Sequence, residues 1–277
     1  MAAITKAIIP AAGRGKRFYP WTLQNPKELM PVFIPKGFSE HYNRLSANGN
    51  GVTCAVIDLV VMEAYEAGLK NIQIITAAGK SGISEHLTKQ QQSGYIPRDA
   101  KLSFANQLEP LGPGDAVLRA EDFVSHGENF AVMFGDDFYD INPLITLLNA
   151  HKTIPAETFG AVLTYMQVTP EQTKRYGILA TRGAGAITEI TDLIEKPQRN
   201  PPSTNAITGR YLLNSGIFDY LRSTKPSANN EVQLTDALLA MLGVKKLYAV
   251  KSPGTRFDTG EPEAWQETMA HLSRFKK

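Results

Sequence analysis

A single cysteine, Cys54, stands in 277 residues, which excludes an intramolecular disulfide framework and any cysteine-built zinc cage. So few thiols suit a reducing compartment, and the cytoplasm is the expected location. No apolar run reaches the roughly 18 residues that a membrane helix needs. The N-terminal stretch passes into Lys6-Ala7-Ile8-Ile9-Pro10 and then into glycines, without the apolar core of a signal peptide. A soluble, unexported protein with no membrane partner is expected. Charge of one sign is also lacking, since 29 Lys and Arg face 27 Asp and Glu. That balance speaks against nucleic acid as a partner held by bulk charge, and leaves room for a local basic cleft that takes a small anion. The five histidines, His41, His86, His126, His151 and His271, form no metal-spaced pair, which disfavours a zinc hydrolase.

What is present is an ordinary globular balance, 43% hydrophobic with 20% charged residues, long enough for a substantial core in one or two domains. Short apolar runs alternate with helical periodicity along the first half. Strands are expected at Ala7 to Ala11, Asn71 to Thr76, Lys101 to Ala105 and Phe130 to Phe134. Helices are expected at Cys54 to Ala67, Ser81 to Gln92 and Asp115 to Phe123. This rhythm implies an α/β core built on a mostly parallel sheet flanked by helices. After about residue 150 the winding is less regular. Strands are expected at Gly160 to Val168, Gly177 to Thr181, Ile187 to Glu195, Gly209 to Leu213 and Lys246 to Lys251, and helices at Gln233 to Leu242 and Glu263 to Leu272. The segment Pro35 to Gly51, rich in Asn, Gly and Ser, reads as an exposed loop or insertion.

Ala11-Ala12-Gly13-Arg14-Gly15-Lys16-Arg17 follows the first strand. Glycine freedom there lets backbone N–H groups cradle phosphate while three cations neutralise it, a chemistry that suits a nucleoside triphosphate. The third glycine of a dinucleotide fingerprint is replaced at Phe18, and the Gly-Lys-Ser/Thr of a P-loop is absent. By themselves two glycines and some basic residues match an ordinary surface turn.

The continuation is more specific. Gly13, Gly15, Arg17 and Pro20, then Pro26-Lys27-Glu28-Leu29-Met30-Pro31, resemble the signature of sugar-1-phosphate nucleotidylyltransferases. The Pro-Lys-Glu form is similar to that of bacterial UTP-glucose-1-phosphate uridylyltransferases. Further matches follow in the family's order: Leu111-Gly112-Pro113-Gly114, Gly135-Asp136-Asp137, Arg175-Tyr176-Gly177, Glu195-Lys196-Pro197, Gly209-Arg210-Tyr211, Glu231 to Asp236, and Phe257-Asp258-Thr259-Gly260. Chance accounts for any one of these, not for all in sequence.

The resemblance implies a Rossmann-like mixed sheet in a single nucleotidyltransferase domain, with a nucleotide-binding half over about 1–150 and a sugar-phosphate-binding half over about 151–277. It implies transfer of a uridylyl group from UTP to glucose 1-phosphate with Mg2+, in a homo-oligomer, dimer or tetramer. Arg17 and Lys27 would be catalytic cations. Ala11, Ala12, Gly13, Gly15, Gln107 and Gly112 would bind nucleotide, with Gln107 reading the base through its amide. Gly177, Glu195 and Lys196 would bind the sugar phosphate. Asp136, at the end of an apolar strand where ligands bind in open α/β sheets, and Asp258 would hold the metal; without the resemblance, Asp136-Asp137 fits a turn and Asp258 a helix cap. A thymidylyltransferase is the rival within the class, and a catalytically silent nucleotide-sugar sensor or regulatory subunit the rival outside it. Lys16 stands where the family commonly has threonine, Asp115 replaces a histidine often seen after Gly114, and Pro35 to Thr53 is the largest departure.

Overall fold

The computed structural model describes residues 3–42, 50–78 and 81–275. In chain order its elements are β1 (Lys6–Ala11), β2 (Pro31–Pro35), β3 (Gly51–Ala55), α1 (Val56–Glu66), β4 (Asn71–Ala77), α2 (Gly82–Gln92), β5 (Lys101–Gln107), α3 (Pro113–Leu118), β6 (Asn129–Met133), β7 (Asp137–Tyr139) and α4 (Pro143–His151). Then come β8 (Phe159–Gln167), β9 (Gly177–Arg182), β10 (Ile187–Glu195), β11 (Asn205–Asn214), α5 (Ile217–Ser223), α6 (Leu234–Leu242), β12 (Lys246–Lys251), β13 (Arg256–Asp258) and α7 (Pro262–Leu272). The chain weaves through two compact units. One comprises Met1–Ile8, Leu111–Met133 and Pro143–Pro253; the other comprises Ile9–Pro110, Phe134–Asn142 and Gly254–Lys277.

In the first unit a mixed sheet runs in the order β1-β6-β11-β8-β12-β10-β9. β1 pairs parallel to β6, with Ala7 beside Ala131 and Ile8 beside Val132, and β12 pairs parallel to β8. The remaining pairs are antiparallel, and they come chiefly from strands after residue 150, where the sequence rhythm loosens. Phe130 to Met133 and Ala161 to Leu163 have no exposure to solvent, so these strands read as unbroken apolar runs rather than as alternating ones. β11 changes register against β8 between Ile207 and Tyr211. Gly209 lies inside that bulge at φ 75°, a conformation that L side chains rarely adopt.

In the second unit β4 pairs parallel to β5, from Asn71 beside Lys101 to Ala77 beside Gln107. β2 pairs antiparallel to β3, and β7 to β13. α1 is apolar on nearly every face, and Val56 through Ala64 are buried throughout, as an all-round apolar helix must be. α2 is the opposite case: Ile83 and Leu87 form its buried stripe and the rest is polar.

Three expectations change. The helix predicted from Cys54 begins two residues later, because Cys54 and Ala55 extend β3 against Val32 and Pro31, and the Asp58 side chain accepts the Ala55 N–H at 2.9 Å to start α1. The helix predicted over Asp115 to Phe123 stops at Leu118 and resumes as a short 3-10 turn at Glu121–Phe123. Part of the supposed exposed loop after Pro35 is core: Phe38 is 6% and Tyr42 1% exposed. These two rings pack on Phe138 and, for Phe38, on Phe257 and Phe275, with centroids 5.2 to 6.3 Å apart. Burying such a ring contributes about 2 kcal/mol, enough to fold the segment inward despite its polar composition. Residues 43–49 lie outside the described ones.

Candidate functional site

The second unit gathers Ala11, Ala12, Gly13, Gly15, Arg17, Lys27, Gln107, Asp136 and Asp258. β1 ends at buried Ala11, and Ala12 is buried beside it. Where the strand stops, Gly13 exposes its backbone, and a Cβ on it would lie 3.6 Å from Lys27 Cε. Gly15 turns the chain at φ 61° into the 3-10 turn Lys16–Phe18. A Cβ there would strike Thr22 Cγ2 at 2.8 Å, while the Thr22 hydroxyl donates to the Gly15 carbonyl at 2.7 Å. Arg17 leaves this turn toward solvent and pairs with Glu261 at 2.5 Å.

Lys27 sits in a further 3-10 turn, Lys27–Leu29. Its Nζ donates to Asp136 Oδ2 at 2.5 Å. Burial works against the charge on Lys27, but Asp136, Glu28 and Asp258 outweigh it and hold the ammonium's pKa above the ordinary lysine value. Asp136 follows Gly135, just beyond β6 and before β7, and its carbonyl accepts both the N–H and the hydroxyl of Thr259, at 2.9 and 2.7 Å. The Asp136 and Asp258 carboxylates converge: a Cβ on Gly260 would lie 2.9 Å from Asp136 Oδ2 and 3.2 Å from Asp258 Oδ1. Gly260 itself donates its N–H to Asp258 Oδ1 at 2.8 Å.

Sequence reasoning missed Arg256. β13 sets Asp258 opposite Asp137 of β7, a like-charge pairing that costs stability across a sheet. Arg256 resolves it, with Nε donating to Asp137 Oδ2 at 2.6 Å and Nη1 to Asp258 Oδ2 at 3.0 Å. Burial opposes its charge, yet Asp137 and Asp258 keep it firmly cationic. The available signal was slight, a single arginine two residues before Asp258.

Gln107 closes β5, buried at 4% exposure, and its carbonyl accepts the Ala78 N–H at 3.1 Å. As donors, Asp136 and Asp258 are hard oxygens, the kind a small divalent cation takes in ones or twos while phosphate oxygens and water fill its remaining positions. Among the described residues no cluster of three or more His, Cys, Asp or Glu forms a cage; two carboxylates fit an ion that completes its shell with phosphate and water.

The first unit holds Gly112, Gly177, Glu195 and Lys196. Gly112, at φ 93°, precedes α3, and a Cβ would strike Glu231 Cβ at 2.7 Å and the Val232 carbonyl at 2.9 Å. Gly177 pairs with Glu195 across β9 and β10. The room that its missing side chain leaves is taken by Thr235 Oγ1 and Glu195 Oε2, 2.8 and 3.0 Å from a Cβ built there. Thr235 donates its hydroxyl to Glu195 Oε2 at 2.7 Å, and Lys196 Nζ lies 3.2 Å from Glu195 Oε1. Lys196 adopts φ 45°, and its N–H donates to the Tyr176 carbonyl at 3.0 Å. Burial and the nearby Glu195 push the Asp236 carboxyl above the usual aspartate value.

A nucleotidyl transferase family model matches residues 49–274. The chain belongs to this family. It is 34% identical over 278 residues to UTP-glucose-1-phosphate uridylyltransferase YngB of Bacillus subtilis (strain 168), which covers 93% of this chain and 86% of that relative. It is also 34% identical over 288 residues to UTP-glucose-1-phosphate uridylyltransferase 2 of Streptococcus pyogenes serotype M1, covering 97% of this chain and 90% of the relative. At that coverage the similarity takes in the Gly13 to Pro31 segment, which lies before the family-model match. Among solved structures, a UDP-glucose pyrophosphorylase complexed with UDP-glucose superposes with a TM-score of 0.82 at 28% identity, over 99% of this chain and 100% of the other. A UTP-bound enzyme of this type from Acinetobacter baumannii gives 0.75 at 25% identity, over 99% and 95%. This nucleotidyl transferase has no helix, among the described residues, long and apolar enough to cross a membrane.

Proposed function

We propose that this chain is an enzyme that transfers a uridylyl group from UTP to glucose 1-phosphate, forming UDP-glucose and pyrophosphate. The observation that carries this reading is the convergence of Lys27, Asp136 and Asp258, on a chain whose relatives bear the name of that reaction over most of its length. A phosphate oxygen of the sugar attacks the α-phosphorus in line, one P–O bond forms, and the bond to the pyrophosphate leaving group breaks. No protein nucleophile is needed; the work is to bring together two anions that repel each other and to neutralise charge as it shifts.

Lys27 holds the α-phosphate or the attacking sugar phosphate, and Arg17, released from Glu261, meets the triphosphate and the departing pyrophosphate. Backbone N–H groups from Ala11 to Gly15 cradle phosphate, Gln107 reads the uracil edge, and Gly112 gives close backbone approach. Glu195 accepts from sugar hydroxyls and Lys196 draws in the sugar phosphate, beside Gly177. Asp136 and Asp258 would hold Mg2+, which when bound supplies further charge neutralisation on the phosphates. The half over about 1–150 serves the nucleotide and the half over about 151–277 the sugar phosphate, within a single nucleotidyltransferase domain. We place the enzyme in the cytoplasm as a homo-oligomer, a dimer or tetramer.

The test is incubation of the purified protein with Mg2+, glucose 1-phosphate and each of UTP, dTTP, CTP, ATP and GTP, with pyrophosphate and nucleotide sugar both measured. Dominant turnover of UTP is expected. Dominant turnover of dTTP would keep the chemistry and replace the nucleotide. Silence with every nucleotide and with other sugar phosphates, together with tight binding of UDP-glucose, would make the chain a sensor.

A further inference from the structure

We infer that His86 and Asp58 form a positioning pair for Lys27, an inference that rests on the role proposed above for that lysine. Asp58 lies in the apolar helix α1 with no exposure to solvent. A buried carboxylate is costly unless donors satisfy it. One of its bonds serves its own helix, the Ala55 N–H at 2.9 Å to Oδ2; starting a helix needs no more than an exposed Ser or Asp. The others come from α2: His86 Nε2 donates to Oδ1 at 2.8 Å, and Gln90 Nε2 lies 3.4 Å from Oδ2. The carboxylate therefore ties the start of α1 to the middle of α2.

Both of these helices adjoin the turn that carries Lys27. At the start of α1, the Val56 N–H donates to the Met30 carbonyl at 3.2 Å, and Ala55 pairs with Pro31. The Met30 N–H in turn donates to the Lys27 carbonyl at 3.0 Å. At the start of α2, a Cβ built on Gly82 would lie 3.5 Å from Pro26 Cδ and 3.6 Å from Leu29 Cδ1, so the α2 backbone runs close against this turn. The residue before Lys27 and the residues after it are thus held by two helices whose spacing the Asp58–His86 bond sets. Misplacement of a charge-stabilising group by about 1 Å can cost on the order of a hundredfold in rate, so a remote tie of this kind acts on turnover through the lysine.

The test is a double-mutant cycle in turnover of UTP and glucose 1-phosphate, with His86→Leu made in the parent and in a Lys27→Ala background and residual rates read at high enzyme concentration. In the parent, His86→Leu is expected to lower kcat by about ten- to a hundredfold, with both KM values changed by less than about twofold. His86→Gln, whose amide can still donate to Asp58, recovers most of the rate. In the Lys27→Ala background, His86→Leu changes the residual rate by less than about twofold, because the group it positions is gone. An equal proportional loss in both backgrounds, or full kcat in His86→Leu, overturns the positioning role while leaving the assignment of Lys27 intact. Full turnover by Lys27→Ala alone overturns that assignment and this inference with it. Should His86→Leu not fold, His86→Asn, polar but too short to reach Asp58, carries the same comparison.

Discussion

Lys27 and Asp136, 109 positions apart in the chain, meet in a charge-assisted bond of 2.5 Å. A cation suited to phosphate and a carboxylate suited to metal thereby satisfy each other. Replacing Lys27 by Met should lower turnover by about a hundred- to a thousandfold, the scale of losing one preorganised charge-stabilising donor. Steady-state pyrophosphate release measures the loss, and circular dichroism should show an intact fold. A variant that turns over at the parental rate would remove the lysine from the chemistry.

Asp258 has the second carboxylate. Asp258→Ala should abolish most turnover and weaken its dependence on Mg2+ concentration with little loss of folding, since Arg256 keeps its bond to Asp137. An Mg2+ titration of initial rate checks this. Retention of the parental rate and metal response would place the cation elsewhere.

Lys196 and Glu195 stand together on the other unit. For Lys196→Ala the KM for glucose 1-phosphate should rise by about tenfold and that for UTP by much less. Equal changes in the two constants would argue against a sugar-phosphate role.

Gln107 is buried at the end of β5. If its amide reads uracil, Gln107→Ala should shrink the ratio of kcat/KM for UTP over CTP by about tenfold or more, because a site built to hydrogen-bond a base discriminates through those bonds. An unchanged ratio would assign base recognition to another residue.

Asp236 has its carboxyl pKa raised by burial and by Glu195. The folded state therefore binds this proton more tightly than the unfolded state does. Stability from this group is present below the unfolded aspartate pKa of about 3.9 and is lost as pH rises through the higher folded value. Asp236→Asn should accordingly raise Tm at neutral pH, by about 1 to 4 °C for a chain of this size, and the gain should vanish near pH ~3. Thermal melts at the two pH values decide it; an equal shift at both would mean that the charge is not responsible.

Much of the fold was legible because its cause is local. The Ile72 to Ile75 run and the helical spacing of Ile83 and Leu87 declare a buried strand and an amphipathic helix by pattern alone. The start of α1 was not legible: Cys54 and Ala55 fit a helix by apolarity, and only pairing with Val32 and Pro31 makes them strand. The inward turn at Phe38 and Tyr42 was hidden by a polar average that gave two rings no more weight than two asparagines. At the site, the glycine turn and the strand end drew attention to Gly13 and Asp136, whereas Lys27 was singled out by the family resemblance alone. Arg256 gave no such notice, because its meaning depends on Asp137, 119 positions earlier, and on how β7 and β13 set two acids face to face.

The aromatic cluster gives the segment after Pro35 a packing constraint that its composition conceals. Phe38 and Tyr42 pack on Phe138, and Phe38 also on Phe257; those two phenylalanines adjoin Asp137 and Asp258 in β7 and β13. A segment that supplies its own hydrophobic anchor at Phe38 and Tyr42 does not behave as an ordinary surface loop. Truncating either ring would open a cavity against the phenylalanines that neighbour Asp137 and Asp258, at a cost of about 3 to 5 kcal/mol, so the two acids are steadied from a stretch that looks dispensable by composition.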